Sequence, residues 1–312
     1  MPGTLFVCVA AFLWGTVGVA NSLMSERYAA DPAFIGLVRT TLGALSLLVA
    51  ASVLRLPIPS WRRLPVRGLV IFGLAGATFQ FCLFAAFRQV GVTTTVAVTV
   101  CAPVVLAAAG EALWSRRAPD LGVALSIAIA SAGVFLARPE AAAPGGGVAS
   151  IDLPGMSLLA GASFAFSAVA ATSRNLTHDL HPLWAAGLGL TATALVLSAV
   201  VSAEGNSAVL GLTRMTGGDL AILAYTGVAA TGGGYLAFVL GMQLSRSAAA
   251  GLAATLIEPG VAALLAALLL RERLTQSEIC GCSLMLFAMV TLFVADRRSR
   301  ARSEARSRAL GQ

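Results

Sequence analysis

The sequence has 312 residues, of which 58% are hydrophobic and 11% charged, with a mean hydropathy of +0.86 and a formal net charge of +7. Soluble domains carry about a quarter charged residues, so a soluble enzyme or binding module is excluded and a membrane protein is expected. The five cysteines (Cys8, Cys82, Cys101, Cys280, Cys282) all lie in apolar runs, which indicates neither a zinc site nor a disulfide framework.

A span needs ~20 largely apolar residues. Runs of this kind fall at 3–24, 32–54, 68–87, 92–114, 121–137, 154–172, 182–202, 220–244, 247–270 and 277–295. The first has no charge, no basic residue ahead of it and no small-residue cleavage site, so an uncleaved helix is expected in place of a signal peptide. Most runs are joined by short polar turns. The most linker-like stretch, PEAAAPGGGVASID (139–152), falls between the fifth and sixth. The expected organisation is an all-α polytopic membrane protein of ten transmembrane helices: five spans in 1–138, a linker at 139–153, five spans in 154–296 and a basic tail at 297–312.

All 21 basic residues are arginine, and they are unevenly shared between the two sides. One side holds Arg55, Arg62, Arg63, Arg67, Arg116, Arg117, Arg174, Arg246 and six in the tail, against Arg27, Arg88, Arg138, Arg214, Arg271 and Arg273 on the other. Cytoplasmic loops are enriched in Lys and Arg, so both termini are expected in the cytoplasm. On a polytopic chain the basic tail reads as a topology signal or a contact to anionic lipid, not as a nucleic-acid patch.

An odd number of crossings makes a second copy of the same unit enter from the opposite face. Traces of duplication are visible: TVCAPVVLAAAGEALWSRRA (99–118) against TLIEPGVAALLAALLLRERL (255–274), Asp31-Pro32 against His181-Pro182, and Gln89 against Gln243. Inverted repeats of this kind build secondary transporters, with the substrate near the midplane where the halves meet. In the aligned pair, Pro103 and Pro259 each remove a helical hydrogen bond and free the carbonyl four residues back, on Thr99 and Thr255. A freed carbonyl is tolerable only against protein or a wet cavity. Glu258 lies mid-span, where a carboxylate faces the interior. It is either a protonated donor holding neighbouring helices or a group for substrate or protons.

Other polar and aromatic residues lie at similar depth. Trp14 beside Gly15, GATFQF (76–81) and ATGGGY (230–235) combine small residues with aromatic and polar ones. Helix packing alone accounts for small residues; a partly aromatic pocket of Trp14, Phe79, Gln80, Thr231 and Tyr235, with Gly233 as a bending point, is the functional reading. Arg39 stands seven residues past Pro32, roughly 10 Å into its helix, within snorkelling reach of an interface, and is expected to be structural or gating. Glu111 lies near the end of its helix and can snorkel. His178, Asp179 and His181 share one loop without further ligands, so no metal is expected. There is no Walker loop, and no cofactor is expected.

At these residues the chain resembles the EamA-type transporters of the drug/metabolite transporter superfamily. The resemblance rests on Trp14-Gly15, Arg39, Pro103, Glu258-Pro259 and Leu270-Arg271-Glu272-Arg273-Leu274, and extends over essentially the whole chain as two repeats. Arg116 in the first repeat stands where Glu272 stands in the second, so that glutamate is not carried over to both halves. The resemblance implies export of amino acids and related metabolites from bacteria across the inner membrane, and is strongest to the aromatic amino-acid exporter branch. A monomer is expected, with a central cavity between spans one to four and six to nine and with spans five and ten as peripheral supports. Proton-coupled drug or metabolite efflux and lipid or polyisoprenoid flipping are the alternatives. An intramembrane enzyme is not expected, because every aspartate and both histidines lie in or beside loops. With no second deep acid to relay a proton, facilitated export by alternating access is the preferred mechanism.

Overall fold

The computed structural model describes residues 2–23, 32–60, 64–89, 92–115, 121–136, 153–204, 215–245, 248–269 and isolated positions between 276 and 294. The linker, the basic tail, Arg116, Arg117 and the segment from Leu270 to Leu274 lie outside the described residues. All regular structure among the described residues is helical. The helices are α1 (Pro2–Ser22), α2 (Pro32–Val53), α3 (Val66–Gln89), α4 (Val92–Ser115), α5 (Leu121–Leu136), α6 (Leu153–Asp179) and α7 (Pro182–Glu204). They continue with α8 (Gly217–Leu244), α9 (248–269) and α10 around Ile279–Ala288. Six of them (α2, α3, α6, α7, α8 and α9) are long and apolar enough to cross a membrane, and the other four hold shorter apolar stretches.

Local chemistry marks several helix ends. α2 stops where Arg55 takes a left-handed conformation (φ 51°). The N–H groups of Arg55 and Leu56 then return to the carbonyls of Ser52 and Ala51, a glycine-type cap built on arginine. α7 begins with the Nδ1 of His181 accepting from the Leu183 N–H (3.3 Å), just ahead of Pro182. α8 opens with a capping box: the Asp219 N–H donates to Thr216 Oγ1, and the Thr216 N–H to Asp219 Oδ2. α6 runs seven residues past the apolar stretch that ends at Thr172, because Ser173, Leu176 and Thr177 are buried. Leu176 seats on Gly68 of α3, so packing continues a helix that hydropathy alone would end.

The exterior is as apolar as the interior. Leu45, Leu74, Phe164 and Leu195 are each more than half exposed at mid-helix, while Phe72, Leu190 and Phe238 are fully enclosed. An unpaired helical surface of this composition is stable only against hydrocarbon.

Packing alternates between early and late parts of the chain. α1 lies along α8 and α9, and α6 lies along α3 and α4. α2 runs against α7 and the middle of α8, and α7 runs against α2 and α3. α5 rests on α4, and its Ser126 hydroxyl pairs with Thr291 of α10 (2.9 Å).

Candidate functional site

The interior of the bundle holds an aromatic cluster contributed by α1, α3, α6 and α8. Trp14 meets Tyr235 and Phe238 at ring-centroid distances of 5.3 Å each, and Phe166 at 5.9 Å. Phe166 stacks on Phe238 (5.7 Å) and lies 4.9 Å from Phe79, while Phe72 meets Tyr235 edge-on at 6.2 Å. Such spacings and tilts are the favoured geometries of aromatic pairs. Two glycines make room here, Gly234 for the Trp14 indole and Gly15 for the backbone of α9. A Cβ on Gly234 would stand 2.6 Å from Trp14 Nε1, and one on Gly15 would stand 2.9 Å from the Glu258 carbonyl oxygen.

The middle of α8 is a π-helix from Tyr225 to Gly233, flanked by α-helical Gly217–Ala224 and Gly234–Leu244. Its sequence explains the wide turns. Gly227 and Gly232 let α2 approach so closely that added Cβ atoms would collide with Leu42 and Ser46. The Thr231 hydroxyl donates to the carbonyl of Thr226, five residues back (2.7 Å), matching the π spacing. Within the glycine triplet only Gly232 and Gly234 are sterically required; a Cβ on Gly233 meets nothing nearer than 3.8 Å.

Arg39 of α2 docks on this segment. It is buried (8% exposed), Nη2 donates to Thr231 Oγ1 over 3.4 Å, and Nε has no hydrogen-bond partner. The snorkelling expected from its position in the helix is therefore not what the side chain does. It turns inward because the glycine-rich turn of α8 leaves room beside Thr231. One helical turn further, Tyr235 is buried among Trp14, Phe72 and Phe238.

The two proline segments differ more than their sequences do. α4 is continuous through Pro103, with Thr99 Oγ1 bonded to the Thr95 carbonyl and the Pro103 carbonyl receiving Ser167 Oγ of α6 at 3.5 Å. α9 instead tightens to a 3-10 helix over Ala253–Ile257 ahead of Glu258 and Pro259. The Thr255 carbonyl is consequently not left free, because the backbone N–H of Glu258 bonds it in the tighter register. Thr255 Oγ1 caps the Leu252 carbonyl at 2.7 Å, and Glu258 itself is half-buried.

Trp14, Phe79, Thr231 and Tyr235 thus share one site, with Arg39 on one flank and Glu258 beside Gly15. Gln80 is buried on α3. Sequence reasoning passed over Phe72, Phe166, Phe238 and Ser167. A signal for two of them existed in the duplication, since Phe166 and Ser167 follow Trp14 and Gly15 at a constant spacing of 152 residues. Among the described residues no group of three or more His, Cys, Asp or Glu side chains gathers to hold a metal.

A multi-pass helical bundle with outward-facing apolar surfaces, an interior aromatic cluster and a buried arginine is the architecture of a polytopic membrane protein with an internal site. The chain belongs to the EamA-like transporter family, which matches it at residues 1–138 and again at 153–294. It is similar, at 25% identity over 301 residues and 95% of both chains, to the uncharacterized transporter YwfM of Bacillus subtilis (strain 168). A crystal structure of a protein 21% identical to it covers 95% of this chain and 98% of its own at a TM-score of 0.75, which establishes the shared fold.

Proposed function

We propose that the protein exports amino acids with aromatic or hydrophobic side chains, and related small metabolites, across the bacterial inner membrane by facilitated alternating access. The observation that carries this reading is the composition of the interior site. An apolar aromatic cluster around Trp14, Phe79 and Phe166 adjoins Tyr235, and one turn away on the same helix Thr231 holds the buried guanidinium of Arg39. A carboxylate-bearing molecule with a large apolar side chain, such as an aromatic amino acid, matches such a site in both charge and shape. A long-chain lipid needs one polar end and one open apolar path instead.

The reading extends to architecture: ten spans in two inverted repeats, with units at 1–138 and 154–296 joined by 139–153, both termini cytoplasmic, and a monomer in the bilayer without nucleic acid or cofactor. Paired contacts support the duplication. Gly73 meets Ala192 as Gly227 meets Leu42, and these residues are related by the same spacings (154 and 150) that relate Gln89 to Gln243 and Pro32 to Pro182. Likewise Gly15 lies against the bend of α9, and Ser167 lies against Pro103 in α4.

Facilitated movement is preferred to proton coupling because the sequence places no second acid deep in a span to relay a proton with Glu258. Proteoliposomes given labelled amino acids, lipids and cationic drugs provide the test, run with and without a pH gradient. Exchange of aromatic amino acids that the gradient does not drive uphill is the expected result, and Glu258→Gln should still exchange. Gradient-driven accumulation lost in Glu258→Gln would replace the facilitator with a proton-coupled exporter; transport of lipid alone would replace it with a flippase.

A further inference from the structure

We infer that Arg39 recognises the substrate's carboxylate, with Nε and Nη2 as the donors; this rests on the amino-acid reading above and assigns a ligand role to a residue that sequence alone marks as structural or gating. Arginine is rarely buried unless it is paired. Here the residue is 92% enclosed, Nε is without a partner, and the one polar contact, from Nη2, is a long one to a neutral hydroxyl. Among the described residues no carboxylate forms an ion pair with it. A buried donor without an acceptor loses its full solvation, so the state seen here is stabilised by any anion that reaches it. Nε and Nη2 occupy one edge of the planar guanidinium, the geometry that receives the two oxygens of a carboxylate.

The surroundings restrict which anion fits. The Thr231 hydroxyl already donates its proton to the Thr226 carbonyl, so it cannot donate to a ligand; it can only hold Nη2 in place. A phosphate, which needs more donors, is therefore less well served than a carboxylate. The aromatic wall begins one turn away at Tyr235 and continues through Trp14, which places the substrate's apolar side chain next to its carboxylate, as in an α-amino acid.

Counterflow of labelled phenylalanine in proteoliposomes, competed by phenylalanine, phenethylamine (no carboxylate) or phenylpropionate (no ammonium), tests this. In the wild type, phenethylamine should compete ~10- to 100-fold more weakly than phenylalanine, the worth of a charge-assisted hydrogen bond. Arg39→Gln should weaken phenylalanine and phenylpropionate by that factor and leave phenethylamine unchanged, with Arg39→Lys in between. Equal competition by phenethylamine in the wild type overturns the inference, as does equal weakening of all three ligands in a folded Arg39→Gln protein. If no labelled amino acid is carried, the export reading fails separately, and thermal unfolding of the purified protein decides on Arg39. A rise in melting temperature with phenylpropionate that Arg39→Gln abolishes and Arg39→Lys partly keeps sustains the anion site. No rise in the wild type, or the same rise in all three proteins, refutes it.

Discussion

Trp14 shows what a single residue imposes on its neighbours. An indole placed inside the bundle displaces helix backbone, and the chain accommodates it with Gly234 on α8. Gly234→Ala would press a methyl group to 2.6 Å from the indole nitrogen, whereas Gly233→Ala adds a contact of 3.8 Å. We expect the first to cost ~1–3 kcal/mol, typical of overpacking, and to abolish transport, with the second near neutral. Melting midpoints of the two purified variants, compared with wild type, check this. The need for small residues was legible in ATGGGY, but which of the three glycines carried it was not. Trp14 was legible because a deep tryptophan is unusual. Phe166 and Phe238 were not, because phenylalanine suits lipid and protein alike, and a helix with apolar faces all round gives no sign of which one points inward.

At the scale of the element, α8 and α9 depart from regular helix in opposite senses, one widening and one tightening. Glycine content hinted at the first and Pro259 announced the second. Neither outcome could be read from sequence, because both depend on what lies opposite: α2 beside the π turns, α1 beside the bend. The Thr255 carbonyl illustrates the point, since a local rule frees it and a change of helical register recovers it. For α8 the side chain that fixes the register is Thr231. Thr231→Val keeps shape and removes the hydroxyl that ties Thr226 and receives Arg39. It should lose ~1–2 kcal/mol, the value of a buried hydrogen bond with a charged neighbour, together with most transport, while Thr231→Ser retains both. Melting and exchange assays on the pair separate the hydroxyl from the methyl.

Across the whole molecule the class, the six helices long enough to cross a membrane and the recurrence of one family unit were legible from hydropathy and a few repeated residues; the way early and late helices interlock was not. α1 finds its main partners in α8 and α9, and α6 finds its own in α3 and α4, so each half is completed by helices that lie far away along the chain. Expressed alone, residues 1–138 or 153–312 should be degraded or aggregate. Co-expressed, they should copurify and restore exchange; a stable, monodisperse half would count against this. The further consequence is mechanical. Each half lends its leading helix, α1 or α6, to the helices of the other. Motion between the halves therefore cannot be a simple parting of two lobes, because α1 and α6 are stitched across the seam and must slide or tilt along it.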